Sequence, residues 1–140
     1  MSYTASSGGG LEQYKNVSLQ SEIESATPYR LIQMLMEGAI TKMTAAKLCI
    51  RNGQVAGKGE NISMAISIIS GLRASLDKES GREIADNLDN LYEYMERRLL
   101  EANVKSDAGI IDEISGLLGE IKNAWDSIAP DDHHGHKQTG

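Results

Sequence analysis

Phenylalanine is absent from the 140 residues, proline occurs twice, and cysteine once. A lone Cys49 cannot close an internal disulfide, so the natural setting is a reducing compartment. With helix breakers confined to Pro28 and Pro130, and Leu, Ile, Met and Ala abundant, the expected fold class is all-α. No apolar run approaches the roughly 18 residues that span a bilayer, which excludes a membrane-spanning helix. Residues 1–10 lack the basic and apolar stretches of a secretory signal. Positive charge is also short: 14 Lys and Arg against 20 Asp and Glu leave −6, which argues against nucleic acid as a partner.

Histidine is missing from every candidate helix. His133, His134 and His136 all follow Pro130. That removes the Glu-x-x-His pairs of a di-iron bundle and the in-helix histidine of a phosphorelay bundle. The histidine tail could chelate Zn or Ni loosely, but incidental affinity of a disordered tail is the expectation. Gly53, Gly57 and Gly59 lack the spacing and the Lys-Ser/Thr of a phosphate-binding loop. Nucleophile, base and oxyanion donors do not occur as a set. The chain reads as a non-enzyme with no cofactor and no metal.

Three regions follow. Residues 1–26 are polar, with a Gly8–Gly10 run, and read as a flexible arm containing a weak apolar sub-segment, Tyr14, Val17, Leu19 and Ile23. Residues 27–129 carry helical periodicity, and residues 130–140 read as a disordered tail. Thr27-Pro28 is a strong helix start, threonine capping and proline at the first helical position. Ile32, Leu35, Ala39, Met43, Ala46 and Ile50 mark one face of this helix, and Gly53 suits the left-handed position that ends it. A loop through Gly53, Gly57 and Gly59 is expected to precede a second helix near residues 60–78, with core positions Ile62, Ala65, Ile69, Leu72 and Leu76. Ser80 and Glu83 have capping-box spacing. A third helix would bury Ile84, Leu88, Leu91, Met95, Leu99 and Ala102. After a turn at residues 103–106, a fourth would bury Ile110, Ile114, Leu117, Leu118, Ile121, Trp125 and Ile128.

Four helices with short connections predict an antiparallel up-down-up-down four-helix bundle. Charge agrees with closure, since the first helix counts +3 (Arg30, Lys42, Lys47, Arg51 against Glu37). The fourth counts −4 (Asp107, Asp112, Glu113, Glu120, Asp126 against Lys122).

One apolar stripe per helix closes such a bundle, yet apolar and uncharged residues remain. On the first helix Met34 and Leu48 fall outside the stripe and Leu31 at its flank. On the second, Arg73 is the only charge between Asn61 and Leu76. Ser63, Ser67, Ser70 and Ala74 lie opposite its stripe, with Met64 and Gly71 beside them and Ile66 and Ile68 at the edges. The third adds Tyr94 and Leu100. Small uncharged side chains admit a close helix and are cheap to desolvate. A serine-rich face that simply meets water is the bland alternative. A module that accepts an amphipathic helix or extended segment is the reading favoured here.

The stretch Thr27-Pro28-Tyr29-Arg30-Leu31-Ile32-Gln33-Met34-Leu35-Met36-Glu37-Gly38-Ala39 resembles the opening helix of the flagellin-specific export chaperones, the FliS family. Tyr14-Lys15-Asn16-Val17, Ser75-Leu76-Asp77, Leu91-Tyr92-Glu93-Tyr94-Met95 and Ala124-Trp125 extend the likeness, in order, over residues 14–128. The resemblance implies a chaperone of the bacterial cytosol that binds the disordered C-terminal segment of flagellin. Such binding would prevent premature polymerisation and keep flagellin competent for type III export, and the resemblance also allows a contact with an export-gate component. It further implies that the N-terminal arm folds over part of the client groove, making Tyr14 and Val17 a competing lid. The expected client contacts are Leu31, Met34, Leu48, Met64, Ile66, Ser67, Ile68, Ser70, Ala74 and Tyr94. The free chain would be a monomer or weak homodimer; a homodimeric adaptor using the same strips for self-association is the alternative.

Overall fold

The computed structural model describes residues 19–128, all of whose regular structure is helical. The Gly8–Gly10 run, Tyr14, Val17 and the three histidines lie outside the described residues. The chain divides into two compact units, residues 1–31 and 32–140.

In the first unit, residues 19–25 are helical and Arg30 pairs with Glu22 at 3.3 Å. Thr27 Oγ1 accepts from the Arg30 amide at 3.1 Å. The Thr-Pro pair therefore caps α1 (Pro28–Arg51) as its chemistry predicts.

The second unit comprises the rest of α1 with α2 (Val55–Ala74), α3 (Arg82–Lys105) and α4 (Ala108–Asp126). Cross-helix pairs fix the directions. From α1 to α4, Lys47 meets Asp112 at 2.5 Å, Met43 Sδ accepts from Ser115 Oγ at 3.7 Å, Glu37 meets Lys122 at 3.8 Å, and Gln33 donates to Asp126 at 2.7 Å. Descending one helix ascends the other, so the two are antiparallel. The same holds from α2 to α3, where Lys58 meets the Asn103 carbonyl at 2.9 Å and Arg73 meets Asp89 at 2.8 Å. Cys49 lies against Gly57, and Gly38 against Ile68, across α1 and α2. The expected up-down-up-down ring is present.

The core is one layer of fully buried side chains. Met36, Met43, Ile62, Ile69, Leu72, Met95, Leu99, Ile111, Ile114 and Leu118 form it, with Ala39, Ala46, Ala65 and Ala102 where small residues let helices approach. In a chain without phenylalanine, methionines fill the irregular gaps.

Local chemistry departs from the periodic reading at four places. First, α2 begins at Val55, so Gly57 and Gly59 lie inside it. Only Gly53 makes the turn, at φ +68°. A Cβ on Gly57 would sit 2.8 Å from Cys49 Sγ, so this glycine permits a close helix approach. Second, α2 ends at Ala74, short of Lys78, and the capping box does not form. The α3 N-cap is Gly81, without a side-chain cap, because Ser80 Oγ donates to Asp77 Oδ2. Asp77 Oδ1 also accepts the Glu79 and Ser80 amides, an Asx turn that outcompetes the box. Third, α3 buries Ala85 and Tyr92 in place of Ile84 and Leu91, which are 69% and 38% exposed. At 100° per residue, Leu91 and Tyr92 fall about equally far, one to each side, from the middle of the arc set by Met95, Leu99 and Ala102, so the neighbouring helices decide in favour of Tyr92. Ile128, past the end of α4, is exposed as well.

Fourth, α3 extends to Lys105, so the α3–α4 turn is only Ser106-Asp107, with Ser106 left-handed at φ 50°. The buried Lys58 holds it. Its ammonium donates to the Asn103 carbonyl at 2.9 Å and to Ser106 Oγ at 2.7 Å. Asp107 then caps α4 by accepting from Gly109 and Ile110.

Two stability effects are expected. In most helices Gly→Ala gains up to about 1 kcal/mol; Gly57→Ala lowers the melting temperature instead, and Cys49→Ala in the same chain restores it, as a double-mutant cycle by urea titration would show. Lys58→Met, which strands a helix-end carbonyl, costs about 1–3 kcal/mol in the same assay.

Candidate functional site

The four-helix ring has four seams, and their chemistry differs. Ion pairs lace α1 to α4 through Lys47–Asp112 and Glu37–Lys122. Arg73 joins α2 to α3 through Asp89 and Glu96, and Arg98 joins α3 to α4 through Glu113. Between α1 and α2 no ion pair occurs among the described residues. The seam is closed by close packing and a weak hydrogen bond: a Cβ on Gly38 would lie 3.6 Å from Ile68 Cδ1, and Asn61 Nδ2 donates to Cys49 Sγ at 3.9 Å.

The residues singled out by the helical wheel divide among several surfaces. Leu31 is half-buried and belongs to the first unit. Met34 on α1, and Met64 and Ile68 on α2, flank this seam; Met64 is 47% exposed, while Ile68 packs against the core. Gly71 continues the α2 edge, with nothing within 4 Å of where its Cβ would be. Ser67, Ser70 and Ala74 are exposed on the outward face of α2, as Leu48, 50% exposed, is on α1. Ile66 turns to the α3 side and packs against the core.

Tyr94 has a different role. It is half-buried against the core and its hydroxyl donates to Glu113 Oε2. Glu113 also accepts from Arg98 at 2.9 Å, Arg98 and Lys105 share Glu101 at 2.6 and 2.7 Å, and the Arg97 guanidinium stands 5.5 Å over the Tyr94 ring. The Tyr94 hydroxyl first, then Arg98, holds the Glu113 carboxyl below the usual range. Lys105 and Arg98 do the same for Glu101, and Arg73 for Asp89. Tyr94 is therefore part of a clamp between α3 and α4.

Sequence periodicity missed a cavity of about 250 Å³ at the end of the bundle where α2 passes to α3. Its walls are Ile32 and Met36 from α1, Leu72 from α2, Leu88 and Tyr92 from α3, and Ile121 and Trp125 from α4; Ser75, Leu76 and Asp77 stand at the α2–α3 connection. Six of these had been expected as core. The signal available was the concentration of large apolar residues at this end, with the wide 75–81 connection beside them. Among the described residues no His, Cys, Asp and Glu group could hold a metal ion, and no helix is long and apolar enough to cross a membrane.

The family model described as "Flagellar protein FliS" matches residues 10–132. The chain belongs to the FliS family. It is 50% identical over 129 residues to the flagellar secretion chaperone FliS of Salmonella typhimurium, covering 91% of this chain and 93% of the relative. Identity is 46% over 119 residues to the flagellar secretion chaperone FliSB of Pseudomonas aeruginosa, covering 85% and 94%. With FliS of Bacillus subtilis it is 33% over 106 residues, covering 76% and 78%. A solved bacterial flagellar chaperone superposes with a TM-score of 0.68 at 16% identity, over 83% of this chain and 94% of that one, and so shares the fold. FliS membership brings a flagellar export chaperone role.

The depressed carboxylates set a pH dependence. Groups whose folded pKa lies below the unfolded value stabilise above the unfolded pKa and lose that contribution as pH falls through the folded one. Urea midpoints should stay level near neutrality and drop as pH falls through the carboxylate range. Glu113→Gln should make that acid drop shallower.

Proposed function

We propose that this FliS chain binds the C-terminal segment of flagellin in the bacterial cytosol, keeping it unpolymerised and fit for type III export. The observation that carries the reading is the α1–α2 seam: alone of the four it lacks ion pairs among the described residues, and it exposes Met64 beside the open position at Gly71. A segment that folds on binding must offset its ordering entropy by burying a large apolar area. A seam without ion pairs, continued by the uncharged Ser67, Ser70 and Ala74 on the outward face of α2, supplies area that can be covered without separating charged partners. Methionines at its edge suit an adaptable contact. Leu48 and Leu31 would extend the path along α1. Tyr14 and Val17 would compete for it as a lid, lowering apparent affinity by the fraction of chaperone left open.

Mixing the chain with flagellin should give a stable complex, and deleting the C-terminal segment of flagellin should abolish it; binding that survives the deletion rules the reading out. Ser67→Glu should weaken the complex about tenfold, equivalent to roughly 1.4 kcal/mol, with the melting temperature unchanged. Tyr14→Ala should leave binding equal or tighter. A chain that sediments as an obligate dimer, with these strips already covered, would favour the self-associating adaptor.

A further inference from the structure

We propose that the cavity at the α2–α3 end is a socket for one large apolar side chain of the bound segment, with a basic group seated beside it against Asp77. This rests on the flagellin reading for its partner, though the socket has chemistry of its own.

Size selects the occupant. At about 250 Å³ the space is below the roughly 300 Å³ where drug-sized sites begin, and above the ~150 Å³ that accepts a benzene ring. One large side chain fits that interval. Ile32, Leu72, Leu88 and Ile121 provide apolar walls, and Met36 a flexible one.

Two polar groups give it selectivity. Tyr92 is only 2% exposed, and its hydroxyl makes no hydrogen bond to any described residue; burial alone pushes its pKa up. The phenol oxygen is not among the buried unpaired atoms, which are Glu96 Oε2 and Arg98 Nε, so it meets water at the cavity, and an occupant bringing a carbonyl to it exchanges that water for a bond that the chain itself does not make. Asp77 is fixed by the Asx turn, and its hydrogen bonds from Ser80 and Glu79 keep it ionised near neutrality. The adjacent Lys78 is engaged with Asp86 and Asp89, leaving Asp77 without a cationic partner among the described residues.

The cavity is also continuous with the α1–α2 seam. Ser75, on the connection at its mouth, follows Met64, Ile68 and Gly71 along the α1-facing edge of α2 at spacings of about one helical turn. A segment lying in the seam runs off its end into the socket.

Benzylamine, an aromatic ring carrying a cation, tests the socket directly, with benzyl alcohol as its uncharged counterpart. Trp125 is the single tryptophan and lines the cavity, so its emission reports occupancy of the whole chain. Both probes should give saturable changes, benzylamine several-fold tighter, and Asp77→Asn should erase that advantage. Leu88→Tyr, which narrows the space and keeps Trp125 the single tryptophan, should weaken both responses. Should that variant fail to fold, Tyr92→Phe, nearly isosteric, should weaken flagellin binding about three- to tenfold, roughly 0.7–1.4 kcal/mol, at unchanged melting temperature. Benzylamine should also compete with flagellin. Absence of a saturable response to either probe overturns the socket, whether or not flagellin binds. Saturable probe binding that leaves flagellin binding untouched overturns the proposed occupant. A chain that binds the probes but not flagellin keeps the socket and defeats the flagellin reading.

Discussion

Four narrow stripes, each consumed entirely by its three neighbours, hold this molecule together. Met43, Ile69, Met95, Leu99, Ile114 and Leu118 belong to one cluster with almost no solvent contact, and the alanines between them let the helices close to short distance. Because an apolar stripe need cover little more than about 100° of a helix, closure leaves most of each outer surface unconstrained. What those surfaces carry is then set by their work, and the four seams separate on that basis.

Three seams are pinned electrostatically. Exposed ion pairs contribute only about 0–1 kcal/mol each, so Lys47–Asp112 and its counterparts add less to stability than to register. They specify that α1 faces α4 and α2 faces α3, and forbid slippage that would misalign like charges. The α1–α2 seam has no such specification. Its register comes from Gly38 against Ile68 and Gly57 against Cys49, close contacts between small and apolar groups. A surface held this way can accept a foreign helix without first breaking charged bonds.

The parts visible in the sequence were those governed by local chemistry. Thr27-Pro28 announced the start of α1, Gly53 its end, and Ile62, Ala65, Ile69 and Leu72 the buried face of α2, because each follows from a backbone preference or a simple period. Gly57 read as loop because a glycine needed for helix contact looks the same, in one chain, as a glycine needed for a turn. The Ser80–Glu83 box lost to Asp77, a competitor three residues upstream of the serine. Leu91 and Tyr92 are one residue apart, and only the positions of neighbouring helices decide which turns inward. For the same reason the wheel gathered Ile66, Ser67, Met64 and Tyr94 as one surplus, whereas the bundle distributes them over an α3-facing edge, an outward face, the α1–α2 seam and a clamp. The cavity depends on how four helix ends diverge around a connection, which no single period encodes.

Three of the core side chains, Met36, Met43 and Met95, are thioethers sealed from solvent, whereas Met64 stands half in water. Peroxide attacks an accessible thioether and converts it into a polar sulfoxide, so the inner sulfurs can react only during excursions in which the helices part. The chain thus contains its own clock and control: the oxidation rate of the inner three relative to Met64 measures how often the bundle breathes, and a passenger bound across it should slow that clock.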